Sequence, residues 1–261
     1  MVQSRYHFEN TLNPVLALAI HNGHDLPEAL LPYSGVDEDI RFREEDPYTD
    51  SFAALFPNHI VVETSRFAVD LNRPIQRAIY QKPEDAWGLT VRSKPMNEDI
   101  LQALQQGYQQ WYDVLKYEVD RMLSFHPFIV VLDLHSFNHR RGGAHAEPDP
   151  QIENPDIILG RNNMPEEYYP YVEQLRLKLD GLDLLEHKLD VRCDVKFPGG
   201  QLSRWLHQNY PGQLICIAVE FKKIFMDEWS GTLNPSMFSL LRSSFQTAIN
   251  SWLTELPKLV S

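Results

Sequence analysis

Cysteine is scarce. The 261-residue chain holds two, Cys193 and Cys216, too few for a disulfide framework or a thiolate zinc cluster. No run of about 18 uninterrupted apolar residues occurs, which excludes a membrane-spanning helix. The opening MVQSRYHFEN has no basic segment followed by an apolar one, so no signal peptide is expected. The expectation is a cytoplasmic protein of one domain, residues 1–261. Positive charge is in deficit: 24 basic against 36 acidic residues give a net charge of −12 with histidines neutral. Such an exterior is unsuited to nucleic acid or anionic lipid, which both require a positive field. Internal repeats and low-complexity runs are absent too, and nothing in the sequence indicates an oligomeric state.

Apolar residues make up 43% and aromatic residues 11% of the chain, enough to exclude disorder and to build a sizeable core. Short β-branched runs at 15–20, 59–63, 128–134, 156–159, 189–195 and 213–221 read as strands. Longer amphipathic segments at 97–123, 166–179, 200–208 and 236–253 read as helices. The first of these carries Asn97 as an N-cap and Asp99 in its first turn. This alternation predicts an α/β fold, with a mixed, mostly parallel sheet flanked by helices. The polar, Gly/Pro-rich stretch 140–154 is expected to be a surface loop or lid near the site.

Two runs end in residues that a strand terminus does not need. After 15–20 comes His21-Asn22-Gly23-His24, and 128–134 closes into Asp133-Leu134-His135-Ser136. Ligands bind beyond the carboxyl ends of strands in open α/β sheets, so both groups are expected in one crevice. Neutral imidazoles from His21, His24 and His135 could hold a catalytic zinc with one position left open, and Asp133 could orient a ring from behind. The stretch Ser65-Arg66-Phe67-Ala68-Val69-Asp70-Leu71-Asn72-Arg73-Pro74 offers the forked donors of Arg66 and Arg73 for a carboxylate or a polarised carbonyl, or else forms a salt-bridged loop. Glu220 ends a buried apolar run. There it either serves as a general base of raised pKa or pairs with Lys222 or Lys223.

Together these segments resemble the N-formylglutamate amidohydrolase (N-formylglutamate deformylase) family. The matching pieces, in order, are His21-x-Gly23, Ser65-Arg66 with Asp70-Leu71-Asn72-Arg73-Pro74, Asp133-Leu134-His135-Ser136, Asp156-x-x-Leu159-Gly160, Phe197-Pro198-Gly199-Gly200 with Arg204, and Val219-Glu220 followed by Met226-Asp227. They span roughly residues 15 to 235. A more distant likeness is to zinc carboxypeptidases and aspartoacylase-type deacylases. The family usually has Pro-His-Ser-Gly at the first site, where this chain has Ile20-His21-Asn22-Gly23. The resemblance implies a hydrolase-like fold of zinc-peptidase type and a metal-dependent amidohydrolase acting on a small N-acyl amino acid such as N-formylglutamate. One zinc ion would be held by His21 and His135 with either His24 or Asp46. Glu220 would act as base and Arg66 would polarise the scissile carbonyl. Asn72 and Arg73 would bind the α-carboxylate, and Arg204 would clamp a second one. Another N-acyl or peptide substrate, or a non-catalytic binding protein on the same scaffold, are the alternatives.

Overall fold

The computed structural model describes residues 2–9 and 12–256. In chain order its elements are β1 (Ser4–Phe8), β2 (Val15–Ala19), α1 (Glu38–Glu44), α2 (Thr49–Ala53), β3 (Asn58–Val62), α3 (Glu98–Leu123), β4 (Ile129–Phe137) and β5 (Ile157–Gly160). Then follow α4 (Tyr169–Leu179), the small hairpin β6–β7 (Asp183–Leu184, His187–Lys188), β8 (Val191–Cys193), α5 (Gln201–Asn209), β9 (Leu214–Lys222) and α6 (Pro235–Leu253). Seven strands form one sheet in the order β1-β3-β2-β4-β9-β5-β8. Four neighbouring pairs are parallel, and β1–β3 and β5–β9 are antiparallel. The expected mixed, mostly parallel sheet flanked by helices is therefore present.

The strands are buried on both sides because both faces are covered. Val15, Ala17 and Ala19 of β2 point into a core that includes Val172 and Leu175 of α4 and Phe245 and Trp252 of α6. Leu16 and Leu18 point the other way, toward Trp111 and Leu115 of α3 and Leu202 and Leu206 of α5. Helix α3 starts as its sequence demands, with Asn97 Oδ1 accepting from Ile100 N at 2.9 Å. Its stripe of Tyr108, Trp111, Tyr112, Leu115, Val119 and Met122 is buried against the sheet. Each such side chain contributes about 1.5–3 kcal/mol when fully buried.

Two departures from the expected elements bear on function. Strand β4 continues three residues past the expected end at Leu134, because His135, Ser136 and Phe137 keep the parallel ladder with Glu220, Phe221 and Lys222 of β9. The strand at 189–195 is shorter than expected: β8 stops at Cys193, and Asp194 adopts a left-handed φ of 56°. Strand β2 lies between β3 and β4, the next two strands of the chain. That reversal of strand order opens a crevice at the carboxyl ends of β2 and β4.

Candidate active site

The parallel strands β3, β2, β4 and β9 deliver the residues at or just beyond their carboxyl ends to one cavity of about 230 Å³. His21 arrives directly after β2. Gly23 lets the chain turn there: a Cβ at that position would lie 2.2 Å from the carbonyl carbon and oxygen of Glu63. The turn is stapled by Asp46 N donating to His21 O at 2.9 Å and Asp50 N donating to Asn22 Oδ1 at 3.1 Å. Asp46 occupies the tight connection between α1 and α2. Thr49 Oγ1 donates to Asp46 O at 2.7 Å, and Lys223 Nζ donates to the carbonyls of Arg43 and Glu45 at 2.6 and 2.8 Å. The loop after β3 is pinned to α3, whose Tyr112 and Tyr108 hydroxyls donate to Leu71 O (2.7 Å) and Arg73 O (2.9 Å).

His21, Asp46 and His135 are all buried, and they bring one donor atom each to within 4.8 Å of one another. Asp46 Oδ2 lies 3.0 Å from His135 Nδ1 and 3.5 Å from His21 Nδ1. Each imidazole turns its other nitrogen to a fully buried carboxylate. His21 Nε2 is 2.7 Å from Asp70 Oδ1, and His135 Nε2 is 2.8 Å from Asp133 Oδ1. The His21–Asp70 hydrogen bond turns that ring's Nδ1 toward Asp46, and His135 likewise faces Asp46 with Nδ1 while its Nε2 also lies 3.3 Å from Asn72 Nδ2. Carboxylates behind both rings are typical of metal-ligating histidines. Burial raises the Asp46 pKa, but hydrogen bonding to His135 and His21 outweighs it and holds the carboxyl well below its usual range. His135 is desolvated, yet Asp133 and Asp46 on either side push its pKa well above the ordinary histidine value. A cation among these three residues would take the place of the proton between His135 and Asp46. Two imidazoles and one carboxylate, oriented from behind, suit zinc with room for a further ligand.

Asp70 ties the metal-ligand candidates to the guanidiniums. It accepts from Arg66 Nη2 at 2.9 Å, from Asn72 N at 2.8 Å and from the Tyr80 hydroxyl, and Arg73 Nε lies 3.8 Å away. In the loop expected either to bind substrate or to form salt bridges, Arg66 and Arg73 pair with Asp70, and both line the cavity. Glu220 lines the cavity beside His135 in the β4–β9 register. It pairs with neither neighbouring lysine. Lys222 bonds Asp156, while Lys223 is held by backbone carbonyls and Asn138 Oδ1. Burial raises the Glu220 pKa to about 8, with His135 and Arg66 opposing.

Three expected residues are placed differently. His24 stands outside the cluster. Its Nδ1 is 2.5 Å from Glu45 Oε2 and its Nε2 is 3.3 Å from Glu38 Oε1, and the Glu45 hydrogen bond raises its pKa. Residues 21–24 form no helix, the geometry that would stack side chains three apart on one face. Arg204 is exposed on α5 and reaches Gln201 Oε1 at 3.5 Å, because the inward positions of that helix are Leu202, Ser203 and Leu206. Asn72 does line the cavity, but its Oδ1 accepts from Leu202 N at 3.0 Å and so caps α5. Gly200 leaves room for this: a Cβ there would be 2.2 Å from Asn72 Oδ1. Among the lining residues to which the sequence assigned no role are the charged Glu44, Arg141 and Lys196 and the aromatic Trp87. Of the loop 140–154, Arg141 is the residue that reaches the cavity. The Arg140-Arg141 pair just after β4 was its signal.

The model of the N-formylglutamate amidohydrolase family matches residues 13–226. This chain belongs to the N-formylglutamate amidohydrolase family. Among solved structures, the N-formylglutamate amidohydrolase of Ralstonia eutropha JMP134 superposes with a TM-score of 0.71 at 15% identity, covering 95% of this chain and 96% of the other. A gene product of Agrobacterium tumefaciens superposes at 0.67 and 16% identity, with 95% of each chain covered. At those identities the two structures speak for the amidohydrolase fold alone. No curated protein matches the sequence. No helix among the described residues is long and apolar enough to cross a membrane.

Proposed function

We propose that this amidohydrolase-family protein hydrolyses the amide bond of a small N-acyl amino acid such as N-formylglutamate, with one zinc ion held by His21, Asp46 and His135. The observation that carries this reading is the convergence of those three buried side chains, each imidazole braced by a buried carboxylate, in one cavity with Glu220 and Arg66. Zinc bound there would supply a Lewis-acidic charge that lowers the pKa of water from ~15.7 toward ~7. Glu220 takes the proton of the attacking water and returns one to the nitrogen of the leaving amine as the C–N bond breaks. A carboxyl of raised pKa suits both steps near neutral pH. Arg66 lies with its guanidinium 4.8 Å over the Trp87 ring and is fixed by Asp70. Its remaining donors stabilise the charge that builds on the carbonyl oxygen. Arg73 and Arg141, both at the cavity wall, take the substrate carboxylates, the second in place of the outward-facing Arg204.

The cavity volume favours a small substrate. About 230 Å³ is below the ~300–1,000 Å³ of sites for drug-sized ligands, and an acidic protein can still admit an anion through a locally cationic wall. Replacing Glu220 by Gln is expected to lower kcat on N-formylglutamate by about 10²–10⁴-fold while the metal content, read by elemental analysis, stays near one per chain. Activity retained in that variant would remove Glu220 from the role of base.

A further inference from the structure

A second cavity of about 140 Å³ adjoins the first and shares Glu44, Trp87, Asn138 and Arg141 with it. Arg43, Leu89 and Trp229 complete much of its wall. A formyl amino acid held in the inner cavity leaves this outer space unused, yet its wall is built for recognition. The Arg43 guanidinium lies 4.0 Å over the Trp229 ring. Its Nε reaches Glu44 Oε1 at 3.4 Å, and Arg141 Nη1 reaches Glu44 Oε2 at 3.3 Å. One carboxylate thus serves two guanidiniums at long range, and the Nη groups of Arg43 have no acceptor among the described residues. The other carboxylate there, Glu228, is already engaged by the N–H groups of His139 and Arg140 and by the His139 ring. Unspent forked donors select a carboxylate, and the indole faces with Leu89 select an apolar or aromatic body.

We infer that the outer cavity is a subsite for a second residue, so that the substrate class extends to N-formyl dipeptides. The first residue fills the inner cavity. The second, apolar or aromatic, lies against Trp87 and Trp229 with its C-terminal carboxylate on Arg43. Since a carboxylate marks the amino-acid side of the scissile bond, the outer cavity takes the amine side and not the acyl side. Hydrolysis then adds water across the formyl C–N bond and releases formate and a dipeptide with a free amine. This inference rests on the amidohydrolase reading above.

The test is a titration of the Glu220→Gln protein, as purified, with N-formylglutamate and with N-formyl-glutamyl-phenylalanine, followed by calorimetry and tryptophan fluorescence. The dipeptide is expected to bind at least about tenfold more tightly, and Arg43→Met or Trp229→Ala in the same background is expected to erase that advantage. Wild-type kcat/KM is expected to favour the dipeptide by a similar ratio. Equal binding of the two ligands, failure of both to bind, or an advantage that survives both substitutions overturns the subsite. Selective binding of the dipeptide with no turnover of either compound by the wild type supports the subsite and overturns the amidohydrolase reading.

Discussion

Replacing Asp70 by Asn tests the network that joins the metal-ligand candidates to Arg66. Asp70 is fully buried. Its Oδ1 accepts from His21 Nε2 (2.7 Å) and Asn72 N (2.8 Å), and its Oδ2 accepts from Arg66 Nη2 (2.9 Å) and the Tyr80 hydroxyl. An asparagine of the same shape keeps one acceptor oxygen and turns an NH₂ group toward the other pair of donors. Tyr80 can rotate its hydroxyl, but Arg66 cannot give up its charge, and its side chain is only 11% exposed. Breaking a buried ion pair by removing one partner costs about 3–5 kcal/mol, a large part of a total stability of about 5–15 kcal/mol. At a urea m-value near 3 kcal/mol/M, that lowers the unfolding midpoint of the metal-free protein by about 1–1.7 M. Tyr80→Phe removes one hydrogen bond to a charged group and is expected to cost less, about 1.5–3 kcal/mol. Since His21 also loses its acceptor, metal affinity measured by chelator competition should fall by about 10–100-fold in Asp70→Asn. A stability loss under about 1 kcal/mol would show that Arg66 is solvated without Asp70 and would refute the reasoning.

Two further outcomes follow from structure outside the catalytic groups. His207 is half-buried, its Nδ1 donates to Ser203 O at 2.8 Å, and its Nε2 accepts from Cys216 N at 3.1 Å, so the ring must be neutral. Burial lowers its pKa to about 4. Because the folded pKa is depressed from an ordinary value near 6.5, this stabilisation is complete above about pH 6.5 and is lost as pH falls toward 4, by about 3 kcal/mol. His207→Gln should flatten the pH dependence of chemical denaturation in that window relative to the wild type, and identical slopes would contradict the assignment. Gly23→Ala forces a Cβ onto the Glu63 carbonyl, which backbone cannot yield cheaply, and should destabilise by about 1–3 kcal/mol in thermal unfolding. An unchanged melting temperature would mean that the ends of β2 and β3 are free to separate.

The central strands were readable because their residues are continuously apolar, and the site was readable where polar residues interrupt such runs. His21, Asp133, His135 and Glu220 stood out because a buried strand has no structural need of them. Asp46 was not separable from His24, since its place depends on a contact with His135 across 89 residues of sequence. Strand β1 escaped notice because it is an edge strand whose middle residues are exposed. The short helices α1 and α2, of seven and five residues, are too brief to show periodicity. Arg204 misled because an arginine two places after an inward-facing leucine on a helix points away from what that leucine touches. Trp87 is held at a positive φ of 53° beside Arg66, a placement no local pattern announces.

The most direct measurement is to strip the protein with a chelator, add Zn²⁺ back in known amounts, and follow N-formylglutamate hydrolysis. The reading of His21, Asp46 and His135 as one zinc site predicts negligible activity in the stripped protein and a linear rise that breaks at about one equivalent. Full activity after stripping, or none at any zinc concentration, would contradict it.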